Sequence, residues 1–246
     1  MRKLAVILAV AFALGAPAHQ GLTGWGLSAG EFASDGNTTL RAAGYAFSIW
    51  GLIYAGLVGY AIYQALPRND ANPRLAALGW PAAVAIAGCG AWIVASALDL
   101  KWLTVLIIGA AAATLTSALW RQARVADAAT VGERVLAWWP LGLLAGWLTI
   151  ASAINLLTVL TAQGLIGPGN ALPAALVGIV AVSAVAAWML RATRLVAYAA
   201  PVAWGLVAVW VAERADKPLV GGAALVAAIL VAGLALWVGR PSAARR

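Results

Sequence analysis

An all-α integral membrane protein of eight transmembrane helices is the fold class this sequence predicts, and three observations carry the prediction. Of its 246 residues, 64% are hydrophobic and only 10% charged, where a soluble domain averages about half apolar and a quarter charged. The apolar residues fall in nearly uncharged runs of roughly 20, the length at which a helix crosses the hydrocarbon core of a bilayer. Lys and Arg alternate from loop to loop. Counted from an internal N-terminus, Arg41, Lys101, Arg214 and Lys217 fall outside, and the other 12 of the 16, including Arg240, Arg245 and Arg246 after the last span, fall inside. That distribution is positive-inside; it puts both termini in the cytoplasm, in a bacterial inner membrane. The net charge of +8 is then topology. No basic stripe forms, so nucleic acid is excluded as a partner, and the lipid bilayer is the partner the composition names.

The elements follow in order. Residues 1–18, MRKLAVILAVAFALGAPA, read in two ways: as a signal peptide with its cleavage site, or as a retained first helix continuing through His19 and Gln20 to Trp25. The retained helix is the preferred reading. A polar loop to Gly44 leads into residues 45–66, YAFSIWGLIYAGLVGYAIYQAL, which carry no charge and four of the five tyrosines; the chain reads as organised around this span. PRNDANPR, residues 67–74, ends one helix and starts the next with two prolines and an Asn-Asp pair. A third span runs about Leu75 to Leu98. Asp99, Leu100 and Lys101 make a tight hairpin into a fourth, Trp102 to Trp120. The basic loop RQARVADAATVGER, 121–134, precedes a fifth, Val135 to about Thr161. The uncharged linker QGLIGPGN then divides residues 1–165 from 166–246, where three more apolar runs stand at about 171–190, 195–212 and 218–238.

Within these spans, Phe47, Trp50 and Tyr54 share one helical face. Lipid is satisfied by Leu, Val and Ala and does not require a row of aromatic rings with polar handles. In GWLTIASAIN, residues 146–155, Trp147, Ala151 and Asn155 recur at steps of four: an aromatic, a small residue and a buried amide, which make a slot with one polar corner. Trp92 lies deep in the third span. Two readings stay open, a ligand pocket between bundle helices and plain packing, in which aromatics fill space and Asn bonds across helices.

Six other tryptophans, Trp25, Trp102, Trp120, Trp138, Trp139 and Trp237, sit at span ends and read as an interfacial belt. Gly142 and Gly146 permit close helix approach, compatible with a homodimer without specifying one. His19 is the one histidine and Cys89 the one cysteine, so no metal-ligand cluster and no intrachain disulfide is expected. As a haem ligand, His19 stands badly, beside Gln20 at a helix end. No acid or base other than Asp99 of the hairpin lies near the membrane depth, and Asp99 reads as a surface pair with Lys101, so no catalytic residue, and hence no enzyme activity, is predicted.

FSIWGLIYAGLVGYAIYQALP resembles the second helix of the TspO/MBR family (tryptophan-rich sensory, peripheral benzodiazepine receptor-like proteins), and GWLTIASAIN resembles the fifth, with its W-x-x-x-A-x-x-x-N pattern. The resemblance covers roughly Met1 to Leu160. Cys89 stands where the family's third helix usually carries Asn three residues before a Trp, and GLTGWGLSAGEFASDGNTTLR replaces its Pro-rich first loop. The resemblance implies a five-helix bundle in residues 1–165 with three added helices in 166–246. It implies a pocket lined by Phe47, Trp50, Tyr54, Trp92, Trp147, Ala151 and Asn155 for a flat hydrophobic ligand, a tetrapyrrole such as protoporphyrin or haem, or a sterol, with no cofactor required and a sensory or transport role. The alternatives are a secondary transporter of another small molecule and a non-catalytic structural membrane subunit.

Overall fold

The computed structural model of the protein describes residues 1–124 and 129–240; Arg245 and Arg246, counted above for topology, lie outside them, as do residues 125–128 of the basic loop. Among the described residues eight helices are long and apolar enough to cross a membrane and no strand occurs. The protein is an integral membrane protein. Helix α1 spans Arg2–Thr23 and is followed by a short α2, Ala29–Ser34. A 3-10 turn, Gly44–Ser48, leads into α3, Ile49–Ala65. Then come α4, Pro73–Ala97, and α5, Lys101–Ala123. Helix α6, Val131–Glu133, continues through a π turn, Arg134–Trp138, into α7, Trp139–Ala162. Helices α8, Pro168–Thr193, α9, Val196–Glu213, and α10, Pro218–Gly239, complete the chain.

Local chemistry sets the boundaries. The Asn72 side chain caps α4 by accepting the Leu75 N–H at 3.1 Å, with Pro73 in the first turn, where a missing N–H costs nothing. Asp99 takes a left-handed conformation, φ 54°, and lets the Leu100 N–H reach the Ala95 carbonyl at 2.9 Å; this closes the α4–α5 hairpin. The π turn before α7 carries one residue more per turn than an α-helix and shifts the side chains that follow. Trp138 is thereby buried, away from the interfacial belt to which its place at a span end assigned it, while its neighbour Trp139 stays exposed.

The centre of the bundle is α7, which packs against α3, α5, α8 and α9 and buries Leu141, Leu144 and Ala145 completely. The sequence pointed to residues 45–66 instead, yet α3 leaves Leu52, Val58 and Ile62 exposed, as a helix bordering lipid does. Small residues make the difference. Gly142 packs on Leu195, and at Gly146 an added Cβ would overlap the Tyr198 carbonyl, so α9 lies backbone to backbone against α7. The Gly142/Gly146 pair therefore joins two helices of one chain. Thr149 and Tyr198 add a hydroxyl–hydroxyl bond of 2.6 Å across that seam. On the other flank α1 lies along α4 and α3, and α4 along α5. Around α9, α10 packs on both α9 and α8.

Candidate functional site

A cavity of about 500 Å³ opens between α3, α4 and α7 beneath the loop that joins α1 to α3. Its deep wall is aromatic. Phe47, in the 3-10 turn, and Trp50, three residues on, both face it, as the tighter turn dictates for positions i and i+3. Trp147 of α7 stands edge-on to both, with ring centroids 6.5 Å from Phe47 and 6.1 Å from Trp50. Such tilted geometry is favoured by the ring quadrupoles. Ala151, one turn beyond Trp147, lines the same wall, and its single methyl leaves the space between the rings open.

Asn155, another turn along α7, is nearly buried and organises the third wall. Its carbonyl accepts the Trp92 indole N–H at 3.2 Å, and its amide donates to the Thr104 hydroxyl at 3.1 Å. Thr104 in turn donates to the Lys101 carbonyl at 2.6 Å. The chain of bonds from α4 through α7 to α5 holds the Trp92 ring against the cavity, and a buried network with its partners in place is rigid. Cys89, one turn before Trp92, also lines the cavity and donates its thiol to the Ala85 carbonyl at 3.3 Å.

Six of the seven residues singled out in the sequence thus share one cavity. Tyr54 does not line it. The chain changes from a 3-10 turn to an α-helix between Phe47 and Trp50, so the three aromatics do not continue one stripe. Tyr54 instead stacks on Trp50 at 5.0 Å with the planes 24° apart, backing the indole. His19 is exposed at the end of α1, 6.4 Å from the Trp25 ring, and outside the cavity.

The roof was not legible. Residues 24–44 cross the outer end of the bundle and carry α2, whose Ser28 and Glu31 form a reciprocal capping box: the Ser28 hydroxyl accepts the Glu31 N–H at 3.2 Å and the Glu31 carboxylate accepts the Ser28 N–H at 2.8 Å. Those bonds, the Ser28 side chain first and its backbone second, hold the Glu31 carboxyl below its ordinary value of 4.5. The box orients Phe32, 1% exposed, into the cavity edge-on to Trp92 at 5.9 Å. Lys101 lies over the outer face of Phe32 and pairs with Asp35 at 2.7 Å and with Asp99.

The opposite edge is tied to the last helices. Arg41 donates its backbone N–H to Glu213 at 2.8 Å and its guanidinium to the Ala212 carbonyl at 2.8 Å, and it pairs with Asp216. Lys217 bonds both Glu213, at 3.2 Å, and the Asn37 carbonyl, at 2.8 Å. Farther along, the Ala43 N–H reaches the Ala208 carbonyl at 3.0 Å, and the Trp204 indole N–H reaches the Ala46 carbonyl at 3.0 Å. Glu213 is fully buried beneath this loop. Nothing local in the sequence announces the loop that covers it. Val211 and Ala212 of α9 also line the cavity. One local signal did exist: Ser-x-x-Glu at 28–31 is a helix-start pattern in what reads as a featureless loop.

A family model described as TSPO-like protein matches residues 3–237, which carries the likeness past Leu160 and through the last three helices. No curated protein and no solved structure gives a match.

Proposed function

The chain belongs to the TSPO-like family, and we propose that it is a membrane receptor or carrier whose cavity binds a flat hydrophobic molecule of the tetrapyrrole or sterol class. The observation that carries the reading is the convergence of Phe47, Trp50, Trp92 and Trp147 on one cavity of about 500 Å³, since ligand sites are typically concave, aromatic-lined and furnished with few polar groups. Residues 1–165 supply the aromatic walls. Residues 166–246 supply α9 and the anchors of the roof. The role is binding, sensory or in transport, without catalysis: among the described residues the lining offers rings, small residues, amides, hydroxyls and one guanidinium, and no acid paired with a base. The roof faces the outside of a bacterial inner membrane and both termini face the cytoplasm, the orientation supported by the Lys and Arg distribution.

The test is quenching of tryptophan fluorescence in the purified full-length protein by protoporphyrin, haem and a sterol, because three of the side chains that line the cavity are indoles. Saturable quenching by a planar ligand is expected. No saturable binding of any of the three would overturn the reading. Reporter fusions at Asn69 should read cytoplasmic and those at Gly167 and Asp216 external; a cytoplasmic signal at Gly167 would invert the topology.

A further inference from the structure

We infer that Arg41 is the specificity residue of this cavity, receiving the carboxylate of a planar hydrophobic acid in exchange for its bond to Asp216. The inference rests on the cavity reading above and narrows it from flat hydrophobic ligands in general to those bearing an acidic arm.

The cavity has two poles. Its deep end is aromatic, as described. Under the loop its lining is polar and includes Ser34, Asn37, Thr158 and Arg41, the single formally charged residue among the described residues that line it. Thr158 is 2% exposed, and its hydroxyl has no hydrogen-bond partner, an unusual condition for a buried polar group. A ligand that ended in apolar atoms at this pole would leave the hydroxyl unanswered and the guanidinium facing a low-dielectric surface. A carboxylate answers both. Guanidinium and carboxylate match as donor fork and acceptor pair, and charge-assisted bonds of this kind are the stronger ones.

The partners Arg41 already has differ in how firmly they are held. Glu213 is 0% exposed and shared with Lys217, and it fixes the Arg41 backbone. Asp216 is different: its side chain is 65% exposed on the turn between α9 and α10, and ion pairs that exposed contribute little. Arg41 and Lys217 balance Glu213 and Asp216 in charge. If Asp216 turns out to water, one positive charge is left at the mouth of the cavity, and a ligand carboxylate restores the balance. Asp216 thus occupies the position that the ligand's acid takes. A tetrapyrrole with propionic acid arms meets the requirement, its ring between the indoles and an arm at the mouth. A neutral sterol does not.

The experiment compares protoporphyrin with its dimethyl ester, which keeps the ring and removes the charge, on full-length protein by tryptophan quenching at neutral pH. The wild type should prefer the acid by about tenfold or more, the scale of one charge-assisted bond. Arg41→Gln should abolish the preference, so that acid and ester bind alike, and Arg41→Lys should recover part of it. Asp216→Asn, which removes the competing carboxylate from the exposed turn, should tighten the acid and not the ester. Equal wild-type binding of acid and ester overturns the inference and leaves the cavity reading standing. Binding of neither overturns both. Equal tightening of acid and ester by Asp216→Asn would mean a loosened roof in place of an exchanged carboxylate, and would overturn the inference even if Arg41→Gln fails to fold.

Discussion

The deep wall of the cavity and its roof are built by opposite means. The wall comes from side chains three or four residues apart on packed helices: Phe47 with Trp50, Trp147 with Ala151 and Asn155. The roof is a polar loop whose shape is imposed from a distance. Arg41 and Glu213 are 172 positions apart, and Lys217 and Asn37 are 180 apart. Wall residues are held by packing within the helix bundle, with Asn155 also bonded to Trp92 and Thr104. The roof is held at two edges by ion pairs, Lys101 with Asp35 and Asp99, and Arg41 and Lys217 with Glu213 and Asp216. Arg41, Lys101 and Lys217 are therefore latches. The wall should govern how tightly a ligand is held, and the roof how quickly it enters and leaves. Each substitution below either widens that difference or erases it.

The largest effect is expected at the wall. Trp147→Ala removes the ring that faces both Phe47 and Trp50, and Trp50→Ala removes its partner and the surface on which Tyr54 stacks. Each aromatic pair contributes about 0.5–1.5 kcal/mol beyond its buried area, so losing two faces weakens a planar ligand by tenfold or more at about 1.4 kcal/mol per decade. Ala151→Phe should abolish binding by filling the slot. All three proteins should still insert, and Trp102→Phe, at the interface, should bind as the wild type does. Equilibrium titrations check the series. Unchanged affinity in all three wall variants would mean that the ligand lies elsewhere.

Next comes the latch at α9. Glu213→Ala leaves Arg41 and Lys217 without their buried carboxylate; both cations are part-exposed and Arg41 keeps Asp216, so the cost is about 1–3 kcal/mol, which for a chain of this size lowers the melting temperature by several degrees. Truncation after Pro168 removes the latch altogether, together with Val211 and Ala212 of the lining and the α9 face that packs on α7. Insertion should survive and ligand release should become faster. Stopped-flow measurement of the off-rate separates the two regions: a wall variant changes affinity with the roof intact, whereas a latch variant changes both association and dissociation. If truncation alters neither rate, the last three helices do not hold the roof.

How much of this could be read beforehand follows the same division. The third span was expected at about Leu75 to Leu98 and occupies Pro73–Ala97; the fifth was expected from Val135 and begins at Val131, because the Thr130–Glu133 capping box starts the helix one turn early. Spans are legible because a bilayer fixes their length and composition. The wall was legible because helical periodicity is local, and it failed at Tyr54, where a 3-10 turn breaks the period. Glu213, Val211 and Ala212 were illegible because their partners lie in a loop more than 160 residues away, and long-range pairing leaves no mark on local pattern. Gly142 and Gly146 were visible as an approach face, yet the sequence does not say which helix comes close.

The smallest expected effect lies at the capping box of α2. Ser28→Ala removes the acceptor for the Glu31 N–H and frees the first turn of the helix that presents Phe32, while Phe32 itself keeps its place against Trp92 whenever the roof is closed. Affinity should change little and ligand release should become only severalfold faster, in line with the modest cost of losing an N-cap. Acid should reproduce the effect in the wild type. Because the folded-state pKa of Glu31 is lowered, its contribution is complete above the ordinary carboxyl value of 4.5 and is lost as pH falls through the folded value. Release should therefore be flat from neutral pH to about 5 and quicken below it, and Glu31→Gln should remove the part of that rise which comes from the capping box. An off-rate that rises with acid equally in Glu31→Gln and in the wild type would mean that the capping box does not carry the sensitivity.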